Sequence, residues 1–142
     1  MTSKPSDRSG AKPQNELLVI TVAKDLCNYV MTVTQKSPKQ FRFSLVGRMQ
    51  NLSLAVIESL IRANDIMVSP TSPARNFETR YAHQGDAMTS LKLLVYISEI
   101  SMTQSCILMK QYEQIAEQAT KCRNLLGAWI NSDRKRQSPI EA

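Results

Sequence analysis

Lys39–Asp65 reads KQFRFSLVGRMQNLSLAVIESLIRAND, and the fold follows from how this stretch distributes its apolar residues. On a helix advancing about 100° per residue, Leu45, Met49, Leu52, Val56, Leu60 and Ala63 share one sector. Val46, Leu54, Ile57 and Ile61 widen it to an apolar arc of roughly 200°. Arg48, Asn51, Glu58, Ser59, Arg62 and Asp65 make up the narrow polar remainder. A surface helix needs a stripe only a little over about 100° wide. The excess predicts burial on two sides, one against the chain's own core and one against a neighbouring subunit. The bland counterpart is a central helix of a well-packed monomer.

Outward from this stretch, three further helical patterns appear. Helix 1 is expected over about Glu16–Gln35, with Leu18, Val22, Leu26, Tyr29, Val30 and Val33 inward. Ser37-Pro38 breaks it, because the residue before a proline is pushed out of the helical region. Helix 2 is expected over Gln40–Met67, ended by Ser69-Pro70 and Ser72-Pro73. Helix 3 begins at Pro73 or Asn76 and runs to Thr103. Met88, Leu91, Val95 and Met102 lie on one of its faces and Leu93, Ile97 and Ile100 on nearly the opposite one, so it too is apolar on two sides. Helix 4 is expected over Leu108–Asn131, with Leu108, Tyr112, Ile115, Ala119, Cys122, Leu126, Trp129 and Ile130 as one stripe. The junction at Gln104–Ile107 holds no Gly or Pro, which leaves a continuous long helix as the alternative there.

All six prolines fall in tails or breaks, the punctuation of an all-α protein. Four helices with short connections predict an antiparallel up-and-down four-helix bundle over residues 15–132. Residues 1–14 are expected to be a disordered polar, basic tail, and residues 133–142 a basic flexible one. With no membrane span and no signal-peptide pattern in the sequence, a cytoplasmic protein is expected. Cys27, Cys106 and Cys122 are odd in number and lie within apolar patterns, so they are expected to be reduced core thiols.

The net charge of +6 is unevenly placed. Lys4, Arg8 and Lys12 against Asp7 put +2 in the first segment, and Arg134, Lys135 and Arg136 against Asp133 and Glu141 put +1 in the last. The helical part therefore carries +3. Within it no acid lies between Asp25 and Glu58, while Lys36, Lys39, Arg42 and Arg48 do. In an up-and-down bundle these bases share one end with Lys110. Arg62, Arg75, Arg80 and the Arg134-Lys135-Arg136 run gather at the other. The choice at both ends is between solubilising caps and contacts to phosphate or another anionic partner. Phe41 and Phe43 around Arg42 look like an aromatic-basic strip for single strands, although two phenylalanines at a helix entry more often pin the turn to the core, and core packing is the expectation here.

Catalytic chemistry leaves no trace. One histidine, His83, excludes His-pair sites, and the three cysteines show no C-x-x-C spacing for a Cys/His zinc site. There is no Gly-rich phosphate loop, no nucleophile elbow and no clustered carboxylates. The expectation is a protein that is not an enzyme and uses no metal or cofactor.

Four segments taken in order, KSPKQFRFSLVGRMQNL (36–52), AND (63–65), KQYEQIAEQ (110–118) and LLGAWINSDRKR (125–136), give the chain a resemblance to a bacterial family. It resembles the four-helix-bundle proteins related to the accessory variability determinant of diversity-generating retroelements. That group is itself similar to the small bundles encoded by intervening sequences of 23S ribosomal RNA genes. The resemblance spans roughly residues 16–136, and no single motif in it is diagnostic. It implies a homopentameric barrel without catalytic activity of its own. It also implies binding of RNA or DNA, and association with the retroelement's reverse transcriptase to support mutagenic cDNA synthesis. By position it carries the basic role to Lys39, Arg42, Arg48, Arg134, Lys135 and Arg136, and a structural role to Asn51, Asn64, Gly127 and Trp129, with Asn64 expected to hydrogen-bond across the bundle. Five copies of a +6 chain carry +30, which makes multivalent phosphate contact plausible even where one subunit binds weakly. The competing readings are a structural protein–protein interaction bundle with no nucleic-acid role, and a small ligand-binding bundle with a buried cavity.

Overall fold

The breaks at Ser37-Pro38 and at residues 66–73 divide the chain much as expected. The computed structural model describes residues 16–141, with side chains as far as Gln137; the expected 1–14 tail lies outside them. Four α-helices follow in order: α1 (Leu18–Thr34), α2 (Gly47–Asp65), α3 (Ala74–Thr103) and α4 (Met109–Glu141). No described residue is in a strand. Each helix packs on the next and α4 returns to α1, so the four close into a bundle around Leu26, Val30, Met49, Val56, Leu60, Leu91, Leu94, Ile115, Cys122 and Leu126. Cys27, Cys106 and Cys122 are free and buried within it.

The tightest part of the bundle is the α2–α3 pair, and the sequence shows why once the contacts are known. The buried positions of α3 are Phe77, Arg80, Gln84, Ala87, Leu91, Leu94, Ser98 and Ser101, alternately three and four residues apart. Met49, Ser53, Val56, Leu60 and Ala63 of α2, with Val46 just before it, keep the same spacing. This is the seven-residue repeat of supercoiled helices. Ala, Ser and Gly-sized side chains at Ser53, Ala63, Ala87, Ser98 and Ser101 leave little bulk between the axes. Half of the α3 seam is polar, so α3 looks two-sided and weakly amphipathic in sequence. Met88, Val95 and Met102 reach the core only from its margin.

Several details differ from expectation, while at the α3–α4 junction the expected break forms rather than the alternative continuous helix. Helix 2 does not start as one regular helix: a 3-10 turn (Lys39–Phe41) and a π turn (Arg42–Val46) precede Gly47. A Cβ on Gly47 would stand 3.3 Å from the Arg42 carbonyl, tighter than usual, which is how the wide turn fits against the first turn of α2. Next, the α3–α4 junction is a true break. Ser105 has φ 64°, and the Cys106 N–H donates to the Ser101 carbonyl at 2.7 Å, a Schellman-type stop with serine where glycine is usual. The Gln111 Oε1 accepts from the Leu108 N–H at 2.9 Å and caps the start of α4 from inside. Leu108 itself is 68 % exposed, so it does not belong to the α4 stripe. Finally, α4 continues past Asn131 to Glu141, and the boundary expected between 132 and 133 falls inside a helix. Asn64 is half-buried and makes no cross-bundle hydrogen bond among the described residues.

No helix of the described residues is long and apolar enough to cross a membrane.

Candidate nucleic-acid interface

The two basic ends of the bundle are chemically different. At the first end, the Ser37 Oγ donates to the Cys106 carbonyl at 2.8 Å, and this ties the α1–α2 connection to the α3–α4 connection. The Thr34 hydroxyl is buried, donates to the Val30 carbonyl and accepts from Gln50 at 3.0 Å. These bonds fix the backbone that carries the basic residues. Lys36, Lys39 and Arg42 converge on one cleft of about 210 Å³, walled by Thr34, Gln35, Ser37, Pro38 and Val46. No carboxylate lines it. Arg48 on the first full turn of α2 and Lys110 on the first turn of α4 are exposed, and Lys110 shares this end through the Ser37–Cys106 tie. None of these five cations forms an ion pair among the described residues. Like charges held together without a counter-charge repel one another by an amount that an anion would relieve.

The π turn also separates the two phenylalanines. Phe41 packs on the core, as expected. Phe43 does not: it is 93 % exposed, with the Arg42 guanidinium 6.0 Å from its ring centre. The wider turn rotates position 43 away from the bundle, so the expectation of core packing is corrected for this residue.

The second end is mostly a structural clasp. Arg80 is only 6 % exposed and Asp133 1 %. The Arg80 Nε and Nη2 donate to the two Asp133 oxygens at 2.8 and 3.1 Å, and its Nη1 donates to the Ile66 carbonyl at 2.8 Å. Gln84 donates to Asp133 at 2.9 Å and Arg136 at 2.8 Å. Arg136 also donates to the Val68 carbonyl at 3.3 Å. Arg80 lies 4.8 Å over the Trp129 ring. Asp133 thus accepts four donors, as many as a carboxylate has lone-pair sites, and the α2–α3 loop is stapled to both α3 and α4. The expectation that Arg80 contacts a partner is therefore corrected, because its charge is spent inside. Arg136 is half committed in the same way. Arg62 is exposed but paired with Glu58 at 2.7 Å, and Arg134 sits 5.8 Å over Tyr81. Arg75 and Lys135 are exposed and lie at this end. Tyr81 donates to Gln137 at 2.9 Å. Burial, then the Asp133 charge, push its phenol above the ordinary value, while Arg134, Arg136 and Arg80 pull the other way.

Asp133 was legible in principle: Leu126 plus one heptad is position 133. Extending the α4 stripe by two turns puts an acid on the core line, and an acid there demands a buried base. Two further cations escaped the sequence reading. Lys92 and Arg123 flank an open groove of about 250 Å³ between α3 and α4, with Tyr96 and Val95 on its α3 wall and Ala116 and Thr120 on the other. The spacing of Lys92 and Tyr96, one helical turn apart, was the available signal. Another cleft, about 330 Å³ between α1 and α4, mixes Asp25 and Glu117 with Lys121 and has no single-sign character. Among the described residues no group of His, Cys, Asp and Glu side chains is arranged to hold a metal ion.

No protein-family model matches the chain, and neither does the sequence of any curated protein.

Proposed function

We propose that this bundle is a non-catalytic nucleic-acid-binding accessory protein of a diversity-generating retroelement or a related mobile element. The observation that carries the nucleic-acid part is the acid-free convergence of Lys36, Lys39 and Arg42 on one cleft, flanked by Arg48 and Lys110. Such a surface suits the phosphate backbone, which dominates nucleic-acid affinity without regard to sequence. The reverse transcriptase as partner, support of mutagenic cDNA synthesis and a cytoplasmic setting rest on the family resemblance. So does the homopentamer, to which the exposed apolar residues Leu54, Ile61, Leu93 and Ile100 on α2 and α3 add support: they belong to the second faces of the two helices whose apolar arcs are too wide for a lone bundle.

The test is binding to RNA and to DNA across a salt series. Up to five phosphate contacts per subunit give a log–log slope as steep as about −4 to −5 on duplex, at ~0.9 per contact. Charge reversal at Lys36, Lys39 and Arg42 removes most of that slope. A flat salt dependence, or no binding at low salt, refutes the reading. The same exposed apolar face favours a second reading, a protein–protein interaction bundle without a nucleic-acid role. It wins if the charge-reversed protein still captures its partner and the original never binds nucleic acid.

A further inference from the structure

We infer that Phe43 is a stacking platform for an unpaired base, so that the basic cleft selects single-stranded over duplex nucleic acid. This deepens the reading just proposed and rests on it. Three observations support it. The first is the exposure of the ring: at 93 % it adds almost nothing to the core, so folding does not account for a phenylalanine there. The second is its placement. Phe43 lies in the Arg42–Val46 π turn directly after Arg42, whose guanidinium stands over the ring at 6.0 Å from its centre, the outer limit of a cation–π contact, while the 93 % exposure leaves the ring open to solvent. π turns of this kind recur at functional sites. The third is the size of the cleft. At about 210 Å³ it falls below the roughly 300 Å³ at which pockets for drug-sized ligands begin. It is a shallow, open cleft that suits a sugar-phosphate unit, with room for the attached base to reach beyond it. Of the two phenylalanines beside Arg42, one of the three cations that would hold that phosphate, Phe43 is the one exposed to solvent.

A duplex keeps its bases stacked inside and offers Phe43 no π-face. An unpaired strand offers one at every position, whatever the base, because stacking on an aromatic ring is tolerant of sequence. The cations supply the attraction common to both forms, and the ring supplies the difference. RNA and DNA single strands both qualify, since the ring reads the base and not the sugar.

The experiment compares Phe43→Ala and Phe43→Trp with the unaltered protein on labelled oligo-dT, oligo-U and a blunt DNA duplex, over a salt series. Phe43→Ala is expected to weaken both single strands about 5- to 150-fold, the range of one lost base–aromatic stack. Duplex affinity and the salt slope stay unchanged, because stacking releases no counterions. Phe43→Trp restores the single-strand affinity. Unchanged circular dichroism and thermal midpoint in Phe43→Ala confirm that the ring is not structural. Equal affinity of Phe43→Ala and the unaltered protein for single strands, or an equal loss on single strand and duplex, overturns the inference while leaving a salt-dependent binder intact. Absence of binding by the unaltered protein overturns the function itself, so the two failures are told apart.

Discussion

Replacing Asp133 by alanine tests the structural reading most severely. The carboxylate is 1 % exposed and takes two bonds from Arg80, one from Gln84 and one from Arg136. Its removal leaves the Arg80 guanidinium buried with one carbonyl partner, Ile66, and the Trp129 face. Breaking a buried pair from one side costs about 3–5 kcal/mol, because the survivor's desolvation is no longer offset. Arg136 adds little to that cost, since it is half-exposed and can turn to water. For a domain of this length each kcal/mol moves the midpoint by about 3–5 °C, so Tm should fall by roughly 10–20 °C. Urea unfolding followed by circular dichroism reads the same loss as a lower midpoint at constant slope. The decisive comparison is the double variant Arg80→Met/Asp133→Leu. Removing both charges removes the uncompensated one, so the pair should be less destabilised than Asp133→Ala alone, with a coupling of at least about 2 kcal/mol. A loss below about 1 kcal/mol for Asp133→Ala, or additive single effects, would show that the buried clasp does not hold this end together.

Further outcomes follow from other parts of the bundle. Ser105 holds φ 64° at the α3 stop, a conformation that glycine adopts without steric cost, so Ser105→Gly should stabilise by about 0.5–1 kcal/mol in urea titration, and a loss would contradict the cap assignment. The three buried thiols should resist Ellman's reagent in the native protein and react together on unfolding; a fast native thiol would place a cysteine at the surface. Burial pushes the Cys122 thiol up to about 11 from 9.0. The folded chain therefore keeps this proton after the unfolded one has lost it, and stability should fall between about pH 9 and 11 by on the order of 2 kcal/mol. Cys122→Ala should flatten that decline, and an unchanged slope would remove the thiol as its cause. Leu54→Glu with Leu93→Glu places charge on the exposed apolar face of α2 and α3. If that face joins copies of the chain, sedimentation should show dissociation to a folded 16.0 kDa monomer; an unaltered chain that is already monomeric at micromolar concentration would refute the assembly.

Apolar spacing and proline placement alone determined an all-α bundle of four helices, and they did so because both act locally. Leu52, Val56, Leu60 and Ala63 lie on one face whatever surrounds them, and Pro38, Pro70 and Pro73 cannot continue a helix. The acid-free run from Lys36 to Arg48 was legible for the same reason, since neighbours in the chain stay neighbours in space across one turn. Tertiary structure decided what depends on partners distant in sequence. Arg80 and Arg136 read as surface bases until Asp133, 53 residues from Arg80, arrives beside them and takes up their charge. Ser98 and Ser101 carry no apolar signal in the sequence, yet both are fully buried in the bundle. Phe43 is decided by a turn that spacing does not encode: a five-residue π turn shifts the register by one residue. That shift leaves Phe41 on the core and Phe43 in water, beside the cations that an unpaired strand would seek.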